Sequence, residues 1–250
     1  MDKNILKPAI QLYSLRRTLT ENFDDTVAKV AQMGFKGVEI AFNYGGKTPQ
    51  ELKELFAAHD LTVIGIYELL DKVTDPSSIL YDYMAVLKCK YVTFGVSPQY
   101  FAENFAVGLE LYVKSINTIC SKGYIPCYHA HTHEFIDNGN GCIMDRLMNE
   151  IISEKVLFEP DTGWLQMAGQ PVVPYMEKYA AKTKLIHFKD VTAGNEVTEL
   201  GKGVIDFAPV YGFAKKLQAE YLIYEQDTPS VSELESAAES VEFLKNLSYR

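Results

Sequence analysis

Eight alternations of a short β-branched or aromatic run with a longer amphipathic segment, packed into 250 residues, predict a single (β/α)8 TIM barrel spanning 1–250. No low-complexity linker, charge block or shift in composition divides the chain. The first strand-to-helix junction, Leu12–Thr20, contains no glycine, which removes the dinucleotide-binding turn expected of the rival doubly wound sheet.

In order, the strands are expected at Pro8–Ser14, Gly37–Ala41, Leu61–Tyr67, Tyr91–Gly95, Ile125–His133, Val156–Asp161, Lys184–Lys189 and Tyr221–Gln226. Helices are expected between them at Phe23–Met33, Pro49–His59, Ser77–Lys88, Ala102–Ser121, Cys142–Ile152, Val172–Ala181, Ile205–Lys216 and Val231–Leu244. In the first of these, Phe23, Val27, Val30 and Ala31 recur at helical spacing behind Asn22, a capping residue. The last begins after Thr228-Pro229-Ser230, with Ser230 as cap and glutamates in its first turn. Glycine or proline punctuates other junctions, at Gly34, Gly37, Pro76 and Gly123.

Composition narrows the function. A 47% hydrophobic and 23% charged chain is of the ordinary water-soluble globular class. No run approaches the ~18 apolar residues of a membrane-spanning helix. The N-terminus lacks a basic region followed by an apolar run, so no export signal is read and a cytoplasmic location is expected. The net charge of −9 argues against nucleic-acid and anionic-membrane partners. Cys89, Cys120, Cys127 and Cys142 form no CxxC pair and lie in apolar segments, as free thiols of a reducing compartment do. The partner expected is a small molecule, with a monomer and a homo-oligomer both open.

In a barrel, chemistry sits at the C-terminal ends of the strands. The fifth predicted strand ends His129-Ala130-His131-Thr132-His133-Glu134, carrying three of the five histidines. A period of two places all three on one face, a poor design for a core and a good one for metal or proton chemistry. The sixth ends Glu159-Pro160-Asp161-Thr162-Gly163-Trp164, with Glu159 on the same face as Asp161. Strand seven reads Leu185-Ile186-His187-Phe188-Lys189-Asp190, an apolar run that suddenly presents His and Lys on one face. On the eighth, Glu225 follows a fully apolar stretch and requires a partner or a metal. Four successive strands thus end in His129, Asp161, His187 and Glu225, a ring of mixed N and O donors suited to one divalent cation.

These residues resemble the xylose-isomerase-like barrel superfamily, in its sugar phosphate isomerase/epimerase branch. The resemblance runs from Gln11-Leu12-Tyr13-Ser14-Leu15-Arg16 through Gly37-Val38-Glu39 and His59-Asp60-Leu61 to Tyr128-His129-Ala130-His131. It continues in Asp161-Thr162-Gly163-Trp164, Ile186-His187-Phe188-Lys189-Asp190, the Leu200–Asp206 segment and Tyr224-Glu225. It implies metal ligation by Asp161, His187 and Glu225, with His129 in a slot where similar ketose 3-epimerases carry glutamate. That substitution puts a symmetrical two-glutamate mechanism in doubt, and Glu134 remains the alternative strand-five ligand or base. Glu225 is implied as both ligand and proton-transfer group. His131 lies where related isomerases keep a catalytic lysine, and becomes the second proton-transfer group. Trp164 is implied as an apolar wall for a sugar face. Lys189 either donates to a substrate hydroxyl or pairs with a neighbouring acid.

Gln11, Tyr13, Glu39 and Tyr67 stand on the first three strands, where pocket and structural roles are both open. Gly201 and Gly203 read as a loop bend near the pocket rather than a phosphate loop. The expected cofactor is one Mn²⁺, Co²⁺, Zn²⁺ or Mg²⁺ ion. The expected activity is isomerisation or epimerisation of a sugar or keto-sugar, by removal of an α-proton with the metal stabilising the resulting enediolate. The alternative is a lyase of the inosose-dehydratase or 3-keto-glycoside-cleaving type using the same site. A related DNA-repair endonuclease would need more metal ligands and a basic face. A non-catalytic sugar-binding barrel would have no use for the four donors together.

Overall fold

The computed structural model describes residues 6–137, 139, 141–150 and 153–247. The last two residues of the expected helix Cys142–Ile152 and the first five of the chain lie outside these. The strands are β1 (Lys7–Gln11), β2 (Gly37–Ala41), β3 (Thr62–Tyr67), β4 (Tyr91–Phe94), β5 (Ile125–His129), β6 (Leu157–Glu159), β7 (His187–Phe188), β8 (Asp190–Val191), β9 (Val197–Thr198) and β10 (Tyr221–Tyr224). Eight of them form one sheet in the order β6-β5-β4-β3-β2-β1-β10-β7, every pair parallel. Single parallel bridges from Phe158 to Thr183 and from Asp161 to His187 close β6 onto β7. The expected (β/α)8 barrel is thus the observed fold. Strands β8 and β9 pair antiparallel as a separate hairpin after β7.

Inward-facing positions change character up the barrel. Ala9, Ile64, Cys127, Leu185, Tyr221 and Ile223 pack together as an apolar plug. One period of two further along, β1, β5 and β7 present Gln11, His129 and His187, and the residue after β10 is Glu225, all of them buried. Strand alternation therefore converts a dry lower layer into a polar upper one with no change of fold. Gly37, one period below Glu39, is required by crowding, because a Cβ there would lie 2.7 Å from Ile64 and 2.8 Å from Tyr221.

Several helices follow their sequence signals closely. Phe23–Met33 is capped by Asn22, whose side chain accepts the Asp25 N–H, and ends at Gly34 with φ 105°. Pro49–Ala58 opens on a Thr48/Glu51 capping box.

Strand and helix ends differ from expectation in three places that shape the site. The first strand stops at Gln11 rather than Ser14, because Leu12–Leu15 wind into a 3-10 turn that runs on into the helix Arg16–Glu21. The fifth stops at His129 rather than His133. Glu134 accepts the His131 amide at 2.8 Å and starts a helical turn over Thr132–Phe135, so the three histidines do not share one strand face. The expected helix Ala102–Ser121 is broken at Asn104, which caps Phe105–Ser121 by accepting the Ala106 N–H.

The bend at Gly201 and Gly203 is held by a buried carboxylate. Asp190 Oδ2 accepts the amides of Gly201 at 2.9 Å and Gly203 at 3.0 Å, while Oδ1 accepts those of Val191 and Ile205. A Cβ on Gly203 would lie 2.2 Å from Asp190 Oδ1 and 2.3 Å from the Val191 carbonyl. Gly203→Ala is therefore expected to destabilise by about 1–3 kcal/mol through overpacking. Each kcal/mol lowers Tm by roughly 2–4 °C at this size, which thermal CD resolves. An unchanged Tm would mean that the loop yields without cost.

Candidate active site

Four side chains from successive barrel units converge at the C-terminal mouth. Donor atoms of His129, Asp161, His187 and Glu225 all lie within 4.8 Å of one another, and all four residues are buried. Strand register produces this. His129 pairs with Glu159 across β5–β6, Asp161 bridges to His187, and His187 pairs with Ile223, two residues before Glu225. The His187 amide donates to the Pro160 carbonyl at 2.9 Å, and Asp161 is further fixed by accepting the Gly163 and Trp164 amides. Both nitrogens of His129, Asp161 Oδ2 and His187 Nε2 have no hydrogen-bond partner among the described residues. Buried polar atoms are ordinarily paired. Only His129 keeps both nitrogens free of any hydrogen-bond partner among the described residues; with Asp161, Glu225 and His187 beside it, the four could hold one divalent cation, and a mixed imidazole–carboxylate set suits Mn²⁺, Co²⁺ or Zn²⁺ better than Ca²⁺.

Lys189, fully buried, brings a fixed positive charge to the same place. Its Nζ lies 3.0 Å from Glu225 Oε1, 3.2 Å from Asp161 Oδ2 and 2.5 Å from Asp227 Oδ2. It also stands 4.0 Å over the Trp164 ring, a cation–π contact. Of the two roles open to it, pairing with acids is the one these contacts describe. Glu225 accepts from Lys189 through Oε1 and meets His187 Nδ1 through Oε2, so its carboxylate is held from both sides.

Two further buried acids meet His187 from its other nitrogen. His187 Nε2 is 3.0 Å from Glu39 Oε2 and 3.2 Å from Glu159 Oε1. Glu39 also accepts from Gln11 Nε2 at 3.1 Å and Thr93 Oγ1 at 2.9 Å. Glu39 thus lies buried against His187, and Gln11 holds it from the neighbouring strand.

Burial and charge act against each other throughout. Burial would lower the His187 pKa, but Glu159, Glu39 and Glu225 outweigh it and hold the group well above its usual range. For His129 burial wins, and its pKa falls well below the usual value. Burial pushes Asp161 up to about 7 against the pull of Lys189, and burial with the nearby Glu39 pushes Glu159 up to about 7. Glu225 goes the other way, since Lys189 and His187 overcome its burial and keep it well below the carboxylate range. It is therefore ionised at neutral pH.

The remaining expected residues ring the mouth. The His131 ring lies 5.0 Å from that of His129 and 5.4 Å from Trp164, and burial lowers its pKa. Glu134 accepts from the Tyr128 hydroxyl at 2.7 Å and lies 3.1 Å from His133 Nε2, in addition to holding the His131 amide. Tyr67 packs against His129 at 5.6 Å, and Tyr13 meets the Phe42 ring edge-on at 5.9 Å under the Arg16 guanidinium. Sequence reading overlooked Phe42, Thr93 and Asp227. A polar residue at the strand end was the available signal for Thr93, whereas the positive φ of Phe42 left none.

The family model of the xylose isomerase-like TIM barrel matches residues 27–247. Among curated proteins, an inosose dehydratase of Geobacillus thermodenitrificans (strain NG80-2) is 24% identical, the match covering 76% of each chain. Among solved structures, a sugar phosphate isomerase/epimerase from Parabacteroides distasonis ATCC 8503 superposes with TM-score 0.77 at 19% identity, over 95% of this chain and 93% of that one. The 3-keto-D-glucoside 4-epimerase of E. coli does so with TM-score 0.76 at 13% identity, over 96% and 99%. With a barrel closed in this order and a family model matched over most of its length, the chain belongs to the xylose isomerase-like TIM barrel family.

Proposed function

We propose that the chain is a divalent-metal-dependent isomerase or epimerase acting on a sugar or keto-sugar by moving an α-proton. The observation that carries this reading is the convergence of four buried donors at the barrel mouth, His129 with both nitrogens unpartnered and Glu225 held ionised by a buried ammonium. His129, Asp161, His187 and Glu225 would hold the ion. When bound, it supplies electrostatic stabilisation to the negative charge that develops on a carbonyl oxygen as the neighbouring proton leaves. Glu225, ionised and clamped by Lys189 and His187, removes that proton. Lys189, paired with Glu225, Asp161 and Asp227, keeps the carboxylate oriented and ionised. The abstracted proton leaves Glu225 for solvent, and His131, in its imidazolium form after taking a proton from solvent, delivers one to the neighbouring carbon or the opposite face, while Trp164, whose ring lies 5.4 Å from that of His131, forms a wall for a ring face.

The similarity to an inosose dehydratase favours one extension, since the same proton removal becomes an elimination when a leaving group stands β to the carbonyl. The two outcomes separate in one experiment. Free sugars, keto-sugars and 3-keto-glycosides are incubated with the Mn²⁺-loaded protein in deuterated water. Deuterium at the α-carbon with a rearranged or inverted product means isomerase or epimerase, and an unsaturated product means lyase. No exchange with any of them would overturn the proposal, and absence of stoichiometric metal would favour a sugar-binding barrel.

His131→Ala is expected to retain metal and fold but to slow deuterium exchange by a factor in the general-acid/base range of about 10²–10⁴. Exchange at the wild-type rate would remove His131 from the mechanism and leave Glu134 or Lys189 as the second group.

A further inference from the structure

Beside the four donors, on the opposite half of the mouth, lies a cavity of about 450 Å³ formed by the segments that follow β2, β3, β4 and β5. Its walls are Phe42, Tyr67, Leu69 and Tyr100, and its polar positions include Glu68, Asp71, Ser97 and Gln99. Tyr67 and His131, the two rings that pack against His129, line it as well, so the cavity adjoins the candidate metal site across these two side chains. Among the described residues, no lysine or arginine lines it.

Two features mark this cavity as built for a ligand. Phe42 has φ 61°, a left-handed backbone that costs a bulky residue roughly 1–3 kcal/mol and suits glycine. The cost keeps a benzyl ring 5.1 Å from that of Tyr67, on the cavity wall. Leu69, meanwhile, is 56% exposed at the lip, although its backbone is fixed by the Glu68 carboxylate, which accepts both the Leu69 amide at 2.9 Å and the Tyr44 hydroxyl at 2.8 Å. Aromatic and aliphatic walls with a rim of hydroxyl and carboxylate acceptors match a pyranose, whose C–H faces stack and whose edges hydrogen-bond.

Resting on the sugar chemistry proposed above, we infer that this cavity is a second sugar subsite and that the substrate is a neutral glycoside rather than a free or phosphorylated monosaccharide. One ring occupies the space over the four donors. The ring on the other side of the glycosidic bond lies between Phe42, Tyr67 and Leu69. The Glu68 and Asp71 carboxylates disfavour a phosphate, and among the described residues that line the cavity no lysine or arginine is placed to receive one.

Calorimetric titration of the Mn²⁺-loaded protein with glucose, glucose 6-phosphate, cellobiose and maltose tests the subsite independently of turnover. At least one disaccharide is expected to bind about tenfold more tightly than glucose, the gain of one stacked ring, and the phosphosugar no more tightly than glucose. In Phe42→Gly, which relieves the backbone strain while removing the ring, the ratio of disaccharide to monosaccharide affinity should fall towards one. Leu69→Asp, at an exposed position that folding tolerates, should do the same. Equal affinity for glucose and both disaccharides, tighter binding of the phosphosugar, or a ratio unmoved in both variants would overturn the subsite, as would failure of every sugar to bind. A preserved ratio without deuterium exchange on any keto-sugar would instead leave the subsite standing and refute the proton-transfer reading.

Discussion

Replacing Glu225 by glutamine is expected to cost about 10²–10⁴ in turnover, the contribution of a positioned proton-transfer group. The substitution is nearly isosteric, so packing at the end of β10 is conserved and the loss reports charge. In the native site the carboxylate accepts from Lys189 at 3.0 Å and meets His187 on its other oxygen. A glutamine keeps one acceptor oxygen but directs an NH2 group at Lys189 or at His187, which loses one of those contacts and leaves a buried positive charge less compensated. Stopped-flow or NMR measurement of α-deuterium exchange gives the rate, and metal analysis of the same sample separates lost chemistry from lost binding. Retained metal with near-normal turnover would confine Glu225 to a structural role. Loss of metal together with turnover would make it chiefly a ligand.

Much of this architecture was legible because local chemistry and global fold agree. Phe23–Met33 starts and stops where Asn22 and Gly34 dictate, and Gly37–Ala41 is a strand with the bounds its composition predicts. The four convergent donors were legible for a related reason, since each is a polar residue placed abruptly at the end of an apolar run. What could not be read was where the chain leaves the sheet. His129, His131 and His133 keep the strand period of two, yet a Glu134 side chain turning back onto the His131 amide bends the segment into a helical turn. Alternation cannot distinguish the two when the residues beyond the strand end are polar in either case. The position of Glu39 was equally hidden. The β2–β3 register shifts between Val38 and Glu39, and the Glu39 carboxylate lies buried against His187 Nε2, a contact between β2 and β7 that no local pattern reveals. The fourfold anchoring by Asp190 likewise joins residues up to 15 positions apart through backbone amides that no side-chain pattern reveals.

The His187→Ala variant is expected to lose stoichiometric divalent metal altogether. His187 is fully buried and stands at the junction of two clusters, with Glu225 at Nδ1 and with Glu39 and Glu159 at Nε2. Deleting the ring removes one of the four donors and also the cation that three carboxylates share. Repulsion among those acids then acts on the empty protein, so part of the effect is a lower Tm without metal. A ligand that binds only the folded state stabilises it by RT ln(1 + [L]/Kd), about 2.7 kcal/mol at a hundredfold excess over Kd. The wild-type protein should therefore show a Tm that climbs with added Mn²⁺, and the variant a flat one. Because alanine leaves a cavity among charges, Asp161→Asn provides a milder companion. It keeps the shape and the Gly163 and Trp164 amide contacts, but weakens the donor set and leaves Lys189 with two acids instead of three. Both variants should keep a barrel-like far-UV CD spectrum, with metal content falling to zero in the first and by at least about tenfold in apparent affinity in the second. Full occupancy and an undiminished Mn²⁺-dependent Tm rise in His187→Ala would place the ion, and with it the chemistry, somewhere other than these four residues.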